Sequence, residues 1–246
     1  MPNSIEYKVR NLLRRFGVEV VPTRRRAEAS LMPLHVARLF DLYGINVVLD
    51  VGARVGEYGT WLRTNGYDGW IVSFEPVSAS VTELQATASR DKRWRVMPIA
   101  LGSEDAQAKI NVAAMSQLSS LRDVTDYGRS DFGTVIATDH VEEIEVRRLD
   151  TVWTEVLDGI ADPRIYLKMD TQGWDLEVLA GAGERIADVA ALQTEASVQA
   201  IYDGAPSHME TLQALGQVGF TPSGMFPVSL DQRLALIEYD CVAVRR

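Results

Sequence analysis

A chain of 246 residues, 46% apolar and 24% charged, carries enough apolar material to bury one sizeable core. Its net charge of −9 argues against a nucleic-acid partner, because phosphate binding needs concentrated Lys and Arg. A single cysteine, Cys241, excludes an intramolecular disulfide and a cysteine-based zinc site; with no apolar run near the ~18 residues of a membrane helix and no secretion signal, the expectation is a cytoplasmic protein without a membrane span.

Residues 1–44 are expected to form an N-terminal helical arm. Residues 1–26 hold seven Lys or Arg against two Glu, and Ile5 to Leu13 place apolar residues at helical spacing. Such a helix would lie against the domain or a second copy of the chain, so a homodimer is one expectation. Arg24-Arg25-Arg26 reads as a solvated turn, and a second helix is expected from about Pro33 to Tyr43, closed by Gly44.

Residues 45–246 are expected to be one domain. Asn46 to Asp50 read as a buried strand entering a glycine-rich turn, followed by a helix over Glu57–Asn65. Trp70 to Glu75 form a second strand, Val77 to Arg90 a helix, and Arg95 to Leu101 a third strand. Strands alternating with helices imply right-handed crossovers and a mostly parallel sheet with helices on both faces. Residues 103–148 interrupt the rhythm: Lys109–Val112 and Glu143–Val146 look like short β segments around a polar stretch, Ser116 to His140, expected as a mobile, lid-like loop. The alternation then resumes, with strands at Arg164–Asp170 and Val189–Glu195, helices at Trp174–Ala182 and His208–Gly216, and two closing strands, near Gly219–Thr221 and Leu234–Val244, that supply an antiparallel edge. Cys241 falls in the last of these as a buried thiol.

In an open α/β sheet ligands bind beyond the carboxyl ends of the strands. Asp50-Val51-Gly52-Ala53-Arg54-Val55-Gly56 follows the first strand: Gly52 permits a tight turn, and Gly56 lets the helix start close beneath a ligand. Glu75 ends the second strand 19 residues after Gly56, where a carboxylate accepts both ribose hydroxyls of a nucleoside cofactor, and Pro76 follows it. Ala100 and Leu101 end the third strand, where an adenine would lie. A nicotinamide oxidoreductase is the competing assignment, and a non-catalytic nucleoside-binding protein a third. The dinucleotide fingerprint Gly-x-Gly-x-x-Gly lacks its middle glycine here, Arg54 standing in its place, and no Tyr-x-x-x-Lys pair is present. S-adenosylmethionine has no phosphates and tolerates the looser turn, with Asp50 near its amino-acid end.

Leu49 to Gly56, Phe74-Glu75-Pro76, Ala100-Leu101-Gly102, Ser119-Ser120-Leu121, Leu149-Asp150-Thr151 and Leu167-Lys168-Met169-Asp170-Thr171-Gln172-Gly173 together resemble the FkbM family of O-methyltransferases over roughly residues 45–200. Arg54 stands where that family usually has Asn, and Gln172 where it usually has Glu. The resemblance implies a class I methyltransferase, Rossmann-like three-layer α/β sandwich that transfers a methyl group from S-adenosylmethionine to a hydroxyl of a sugar or other natural product. The chain also resembles mycobacterial enzymes that methylate mannose-containing polysaccharides or glycolipid sugars.

Methyl transfer to an alcohol needs an aligned oxygen and a group to take its proton. Asp170 and Glu195 end strands expected to be adjacent, which brings two carboxylates to one rim. Such a pair repels unless a proton or a cation joins it, so magnesium held by Asp170, Glu195 and His208 is an expectation. His140, at the end of the lid, is a candidate base because its ordinary pKa leaves it mostly neutral at pH 7. Lys168 shares a face with Asp170 by the two-residue strand period. Ser119, Ser120 and Tyr127 are candidate lid contacts, and His35 is assigned to structure.

Overall fold

A computed structural model describes residues 27–245, with side chains from residue 31 onward. The expected helix over Ile5–Leu13 and the Arg24-Arg25-Arg26 turn lie outside the described residues. Helix α1 spans Ala27–Tyr43 and leads through Gly44 into β1 (Val47–Val51). The chain continues through α2 (Glu57–Thr64), β2 (Trp70–Phe74), α3 (Ser78–Ala88) and β3 (Trp94–Met97).

The third strand is shorter than expected. Pro98 has no N–H to continue a ladder, and the Ile99 amide turns back onto the Met97 carbonyl at 2.9 Å. Ala100–Leu101 therefore leaves the main sheet as a separate strand, β4. It pairs in parallel with β6 (Thr138–Arg147), which pairs antiparallel with β5 (Ala106–Ala113).

With Ala100–Leu101, residues 103–148 thus supply a small sheet of order β4-β6-β5, in which β5 and β6 contain the two expected β segments and β6 begins within the stretch expected as a loop. Ile110, Val112, Ile144 and Val146 pack with Val77 and Ala100. Between β5 and β6 lie two 3₁₀ turns, Ser116–Leu118 and Gly133–Ile136, and helix α4 (Asp126–Phe132), capped by Thr125 Oγ1 accepting from the Gly128 amide at 3.0 Å. Ile136 and Val124 pack with Ile201, Tyr202 and Ile237, which fixes the far end of the excursion to the main domain.

The remaining elements are α5 (Leu149–Val156), which the strand-and-helix pattern did not anticipate, β7 (Ile165–Met169), α6 (Asp175–Gly181), β8 (Val189–Ser197), α7 (His208–Gln217), β9 (Phe220–Leu230) and β10 (Leu236–Arg245). The main sheet has the order β3-β2-β1-β7-β8-β10-β9. The pairings β1 with β2, β1 with β7, β2 with β3 and β7 with β8 are parallel; β10 runs antiparallel to both β8 and β9, so the antiparallel pairing falls at this edge.

Alternation along the central strands builds two cores. Val47, Leu49 and Val51 face α5, α6 and α7, while Val48 faces α1, α2 and α3. Cys241 is fully buried on the first side. His35 packs on Phe226 and lies 2.9 Å from Ser223 Oγ, a structural contact between α1 and β9. The arrangement is a three-layer α/β sandwich with a mostly parallel central sheet. Among the described residues no helix is long and apolar enough to cross a membrane.

Candidate active site

A crevice of about 580 Å³ opens beyond the carboxyl ends of β1, β2, β7 and β8, bordered by the start of β10 and by residues 116–121 of the excursion. Its size suits a small-molecule ligand. The turn after β1 forms one wall. Gly52 takes φ +77°, and a Cβ there would overlap the carbonyl oxygen of Asp170. At Gly56, φ +90°, a Cβ would press on Leu84 and Trp94, so α2 begins hard against α3 and β3.

Glu75 sits where this turn meets β2 and is 6% exposed. Its Oε2 accepts from the Arg54 amide at 2.8 Å and its Oε1 from the Val77 amide at 2.9 Å. Burial pushes its pKa up, against the pull of these two amides. Each oxygen keeps a second lone pair, so both can accept a hydroxyl from the crevice. Gly52, Ala53, Pro76, Ala100, Leu101 and Ser119 also line the crevice. Gly56 does not line it and acts through packing. Asp50 departs from the expectation too. It is fully buried one layer below, with Oδ1 3.2 Å from Lys168 Nζ and Oδ2 accepting from Ser73 Oγ at 3.3 Å.

Lys168 Nζ lies between Asp50 and Asp170, 3.4 Å from Asp170 Oδ2, and 5.1 Å from the centroid of the Tyr58 ring. Burial acts to lower its pKa, but Asp50 and Asp170 outweigh that and the net shift is upward.

The structure brings Asp170 and Glu195 together at adjacent strand ends. Two devices hold them. Asp175, the first residue of α6, accepts from the Thr171 amide at 2.9 Å and from the Thr171 hydroxyl with one oxygen, and from Thr194 Oγ1 at 2.7 Å and the Glu195 amide at 3.1 Å with the other. It thereby ties the loop after β7 to β8. Gln172 then donates its amide to Asp170 Oδ1 at 3.3 Å and to Glu195 Oε2 at 3.2 Å. A side-chain amide thus sits between the two carboxylates.

His208, expected as a third metal ligand, lies on the other face of the sheet. Its Nδ1 is 3.5 Å from the hydroxyl of Tyr239, which belongs to the core beneath α5, α6 and α7. The two-residue strand period turns Tyr239 away from the crevice as it turns its neighbours Glu238 and Asp240 toward it. Among the described residues no group of three His, Cys, Asp or Glu side chains is arranged to hold a metal ion.

His140 is also displaced from its expected role. It stands on the exposed face of β6, tied to Asp139 at 3.0 Å and Glu142 at 3.1 Å, and does not line the crevice. Those two partners raise its pKa. Ser120 lines the crevice and its hydroxyl donates to the Gln172 carbonyl at 2.8 Å, whereas Tyr127 does not line it.

Two acids went unnoticed in the sequence. Glu238 and Asp240 complete the crevice floor, Asp240 directly opposite Glu195 across the β8–β10 ladder. Burial, then the nearby Asp170, pushes Asp240 up to about 6. Burial, then nearby acids, pushes Glu195 and Glu238 up, with Glu238 and Asp170 acting on the first and Asp170 and Asp175 on the second. The signal for them was present: acids at i and i+2 alternate with Ile237, Tyr239 and Cys241 at the start of an otherwise apolar strand.

The methyltransferase FkbM domain profile matches residues 50–222. The chain belongs to this family. It is an S-adenosylmethionine-dependent methyltransferase, which removes the nicotinamide alternative. No curated protein matches the sequence. Among solved structures, this FkbM-family chain is similar to magnesium protoporphyrin IX methyltransferase from Synechocystis PCC 6803 with bound S-adenosylmethionine, at 13% identity and TM-score 0.45 over 99% of this chain and 98% of that one. It is also similar to precorrin-6y C5,15-methyltransferase from Geobacter metallireducens GS-15, at 10% identity and TM-score 0.46 over 92% of this chain and 94% of that one. A third is 1,6-didemethyltoxoflavin-N1-methyltransferase from Burkholderia thailandensis with bound S-adenosylhomocysteine, at 14% identity and TM-score 0.44 over 89% and 79% of the two chains.

Proposed function

We propose that this FkbM-family enzyme transfers the methyl group of S-adenosylmethionine to a hydroxyl of a sugar or saccharide. In this reading Glu75 accepts the two ribose hydroxyls. The Gly52–Gly56 turn with Ala53 supports the amino-acid portion, and Pro76, Ala100, Leu101 and Ser119 border the adenine. When bound, the donor supplies an activated sulfonium methyl group.

The observation that carries the choice of acceptor is the floor at the reacting end. Asp170, Glu195, Glu238 and Asp240 offer an array of hydrogen-bond acceptors around Ser229, Gln193 and Gln172. A neutral polyol satisfies such an array hydroxyl by hydroxyl, whereas an anionic acceptor meets like charge. Alignment of the acceptor oxygen in this fixed setting contributes several kcal/mol. Glu195 takes the hydroxyl proton, burial and the neighbouring acids having raised its affinity for one, while Asp170 orients the same hydroxyl. Gln172 keeps the two carboxylates apart by the width of one amide.

The test is methyl transfer from labelled donor to a panel of mono- and oligosaccharides, amines and phosphorylated sugars, with the product located by mass spectrometry. A methyl ether on a neutral saccharide is the expected product. Exclusive methylation of an amine, or no saccharide product across the panel, would overturn the reading.

A further inference from the structure

The crevice is unbalanced in charge. Its lining includes the acids Glu57, Glu75, Asp170, Glu195, Glu238 and Asp240, and the only lining cations among the described residues are Arg54 and Lys168. Lys168 is committed beneath the floor to Asp50 and Asp170.

Arg54 is placed differently. Its amide donates to Glu75 Oε2 at 2.8 Å, one of the oxygens that the proposed function gives to the ribose. Its side chain therefore starts within one hydrogen bond of the nucleoside end. It crosses toward the excursion, where Nη1 donates to Ser116 Oγ at 3.0 Å and Nη2 pairs with Glu57. The Glu57 side chain is 49% exposed, so this ion pair is a surface pair of the kind that contributes little and yields easily.

S-adenosylmethionine carries an α-carboxylate at the end of the chain that leaves ribose C5′. Buried among these acids without a cation, that group would lose its hydration and meet repulsion. We propose that Arg54 binds the α-carboxylate of the methyl donor, releasing Glu57 to solvent as it does so. The exchange trades one carboxylate for another on a planar guanidinium suited to bidentate pairing, and it leaves the charge around Arg54 unchanged. This inference rests on the reading that the crevice binds S-adenosylmethionine.

The experiment compares two ligands by isothermal titration calorimetry on the full chain: S-adenosylhomocysteine, which has the α-carboxylate, and 5′-methylthioadenosine, which lacks the whole amino-acid group. Arg54→Asn is the first variant, because φ at this position is +50° and Asn tolerates left-handed backbone. It is expected to weaken S-adenosylhomocysteine 10-fold or more and to change 5′-methylthioadenosine less than 2-fold. Arg54→Lys, with the charge but not the fork, is expected to recover part of the loss for S-adenosylhomocysteine alone. Equal weakening of both ligands in both variants, or unchanged S-adenosylhomocysteine affinity, overturns the assignment of Arg54. Failure of the wild-type chain to bind either ligand overturns the donor reading itself, and this proposal with it.

Discussion

The Tyr202 hydroxyl lies 2.9 Å from the side-chain carbonyl oxygen of Gln172. The same hydroxyl lies 2.9 Å from the Leu118 carbonyl oxygen, so its one hydrogen serves two acceptors, and it is the pair of carboxylates that orients the amide. With the carbonyl toward Tyr202, the amide N–H groups point at Asp170 and Glu195; the flipped amide would set a carbonyl oxygen against two carboxylates.

Gln172→Glu is therefore expected to be costly. It removes both donors and adds a third acid, for about 1–3 kcal/mol of stability near pH 8 and at least a tenfold loss of turnover. The loss of stability should shrink as pH falls, because crowding by two acids favours protonation of the introduced carboxyl, which can then donate again. Thermal unfolding at pH 8 and pH 5 checks this, and a melting temperature equal to wild type at pH 8 would show that the amide does not hold the pair.

Glu75→Gln keeps the shape of the side chain but faces one of its two backbone amides with an N–H donor. It also halves the acceptor capacity offered to a diol. Affinity for S-adenosylhomocysteine is expected to fall about 10- to 100-fold, on the scale of one or two charged hydrogen bonds. Calorimetric titration reads this directly; unchanged affinity would move the ribose elsewhere.

Asp170→Asn and Glu195→Gln test whether the site is catalytic at all. Each is expected to lower the rate constant for transfer about 10²- to 10⁴-fold, the range of a positioned base, while S-adenosylhomocysteine still binds. Single-turnover kinetics with excess enzyme separates chemistry from binding. Retention of wild-type function by both variants would favour a non-catalytic nucleoside-binding protein.

Asp240 supplies a pH test. Its folded pKa is raised to about 6, so it favours the folded state while protonated. That contribution is complete below the ordinary carboxylate range and is lost as pH rises through about 6. Asp240→Asn, which mimics the protonated form and keeps an acceptor for the Gln193 amide, should match wild type near pH 4. At pH 8 it should be more stable by about 3 kcal/mol. Melting temperatures that differ equally at both pH values would contradict the raised pKa.

Much of the main sheet was legible because its signals are local. Runs such as Val47-Val48-Leu49 and Ile71-Val72 are apolar strand signals, and the two carboxylates just beyond the last pair of the β7–β8 ladder follow from strand adjacency. What escaped depends on non-local register. Lys109-Ile110-Asn111-Val112 and Glu143-Ile144-Glu145-Val146 each alternate and read as β on their own, but their ladder, from Ala106↔Val146 to Ala113↔Thr138, closes across a long polar insert, so the pairing and the full strand lengths are not local signals. His208 and His140 were misplaced for a related reason. Chain order sets their distance from a strand end, but the sheet face on which each lands depends on packing, through Tyr239 for one and the Asp139–Glu142 clasp for the other.

The two residues of β4 are shared property. Ala100 and Leu101 edge the crevice, yet their ladder partners are Val146 and Arg147 of the excursion. The insertion is consequently a buttress and not a removable ornament. Shortening residues 103–148 would deprive β4 of its partner strand, so any redesign of the excursion has to spare the β5–β6 ladder.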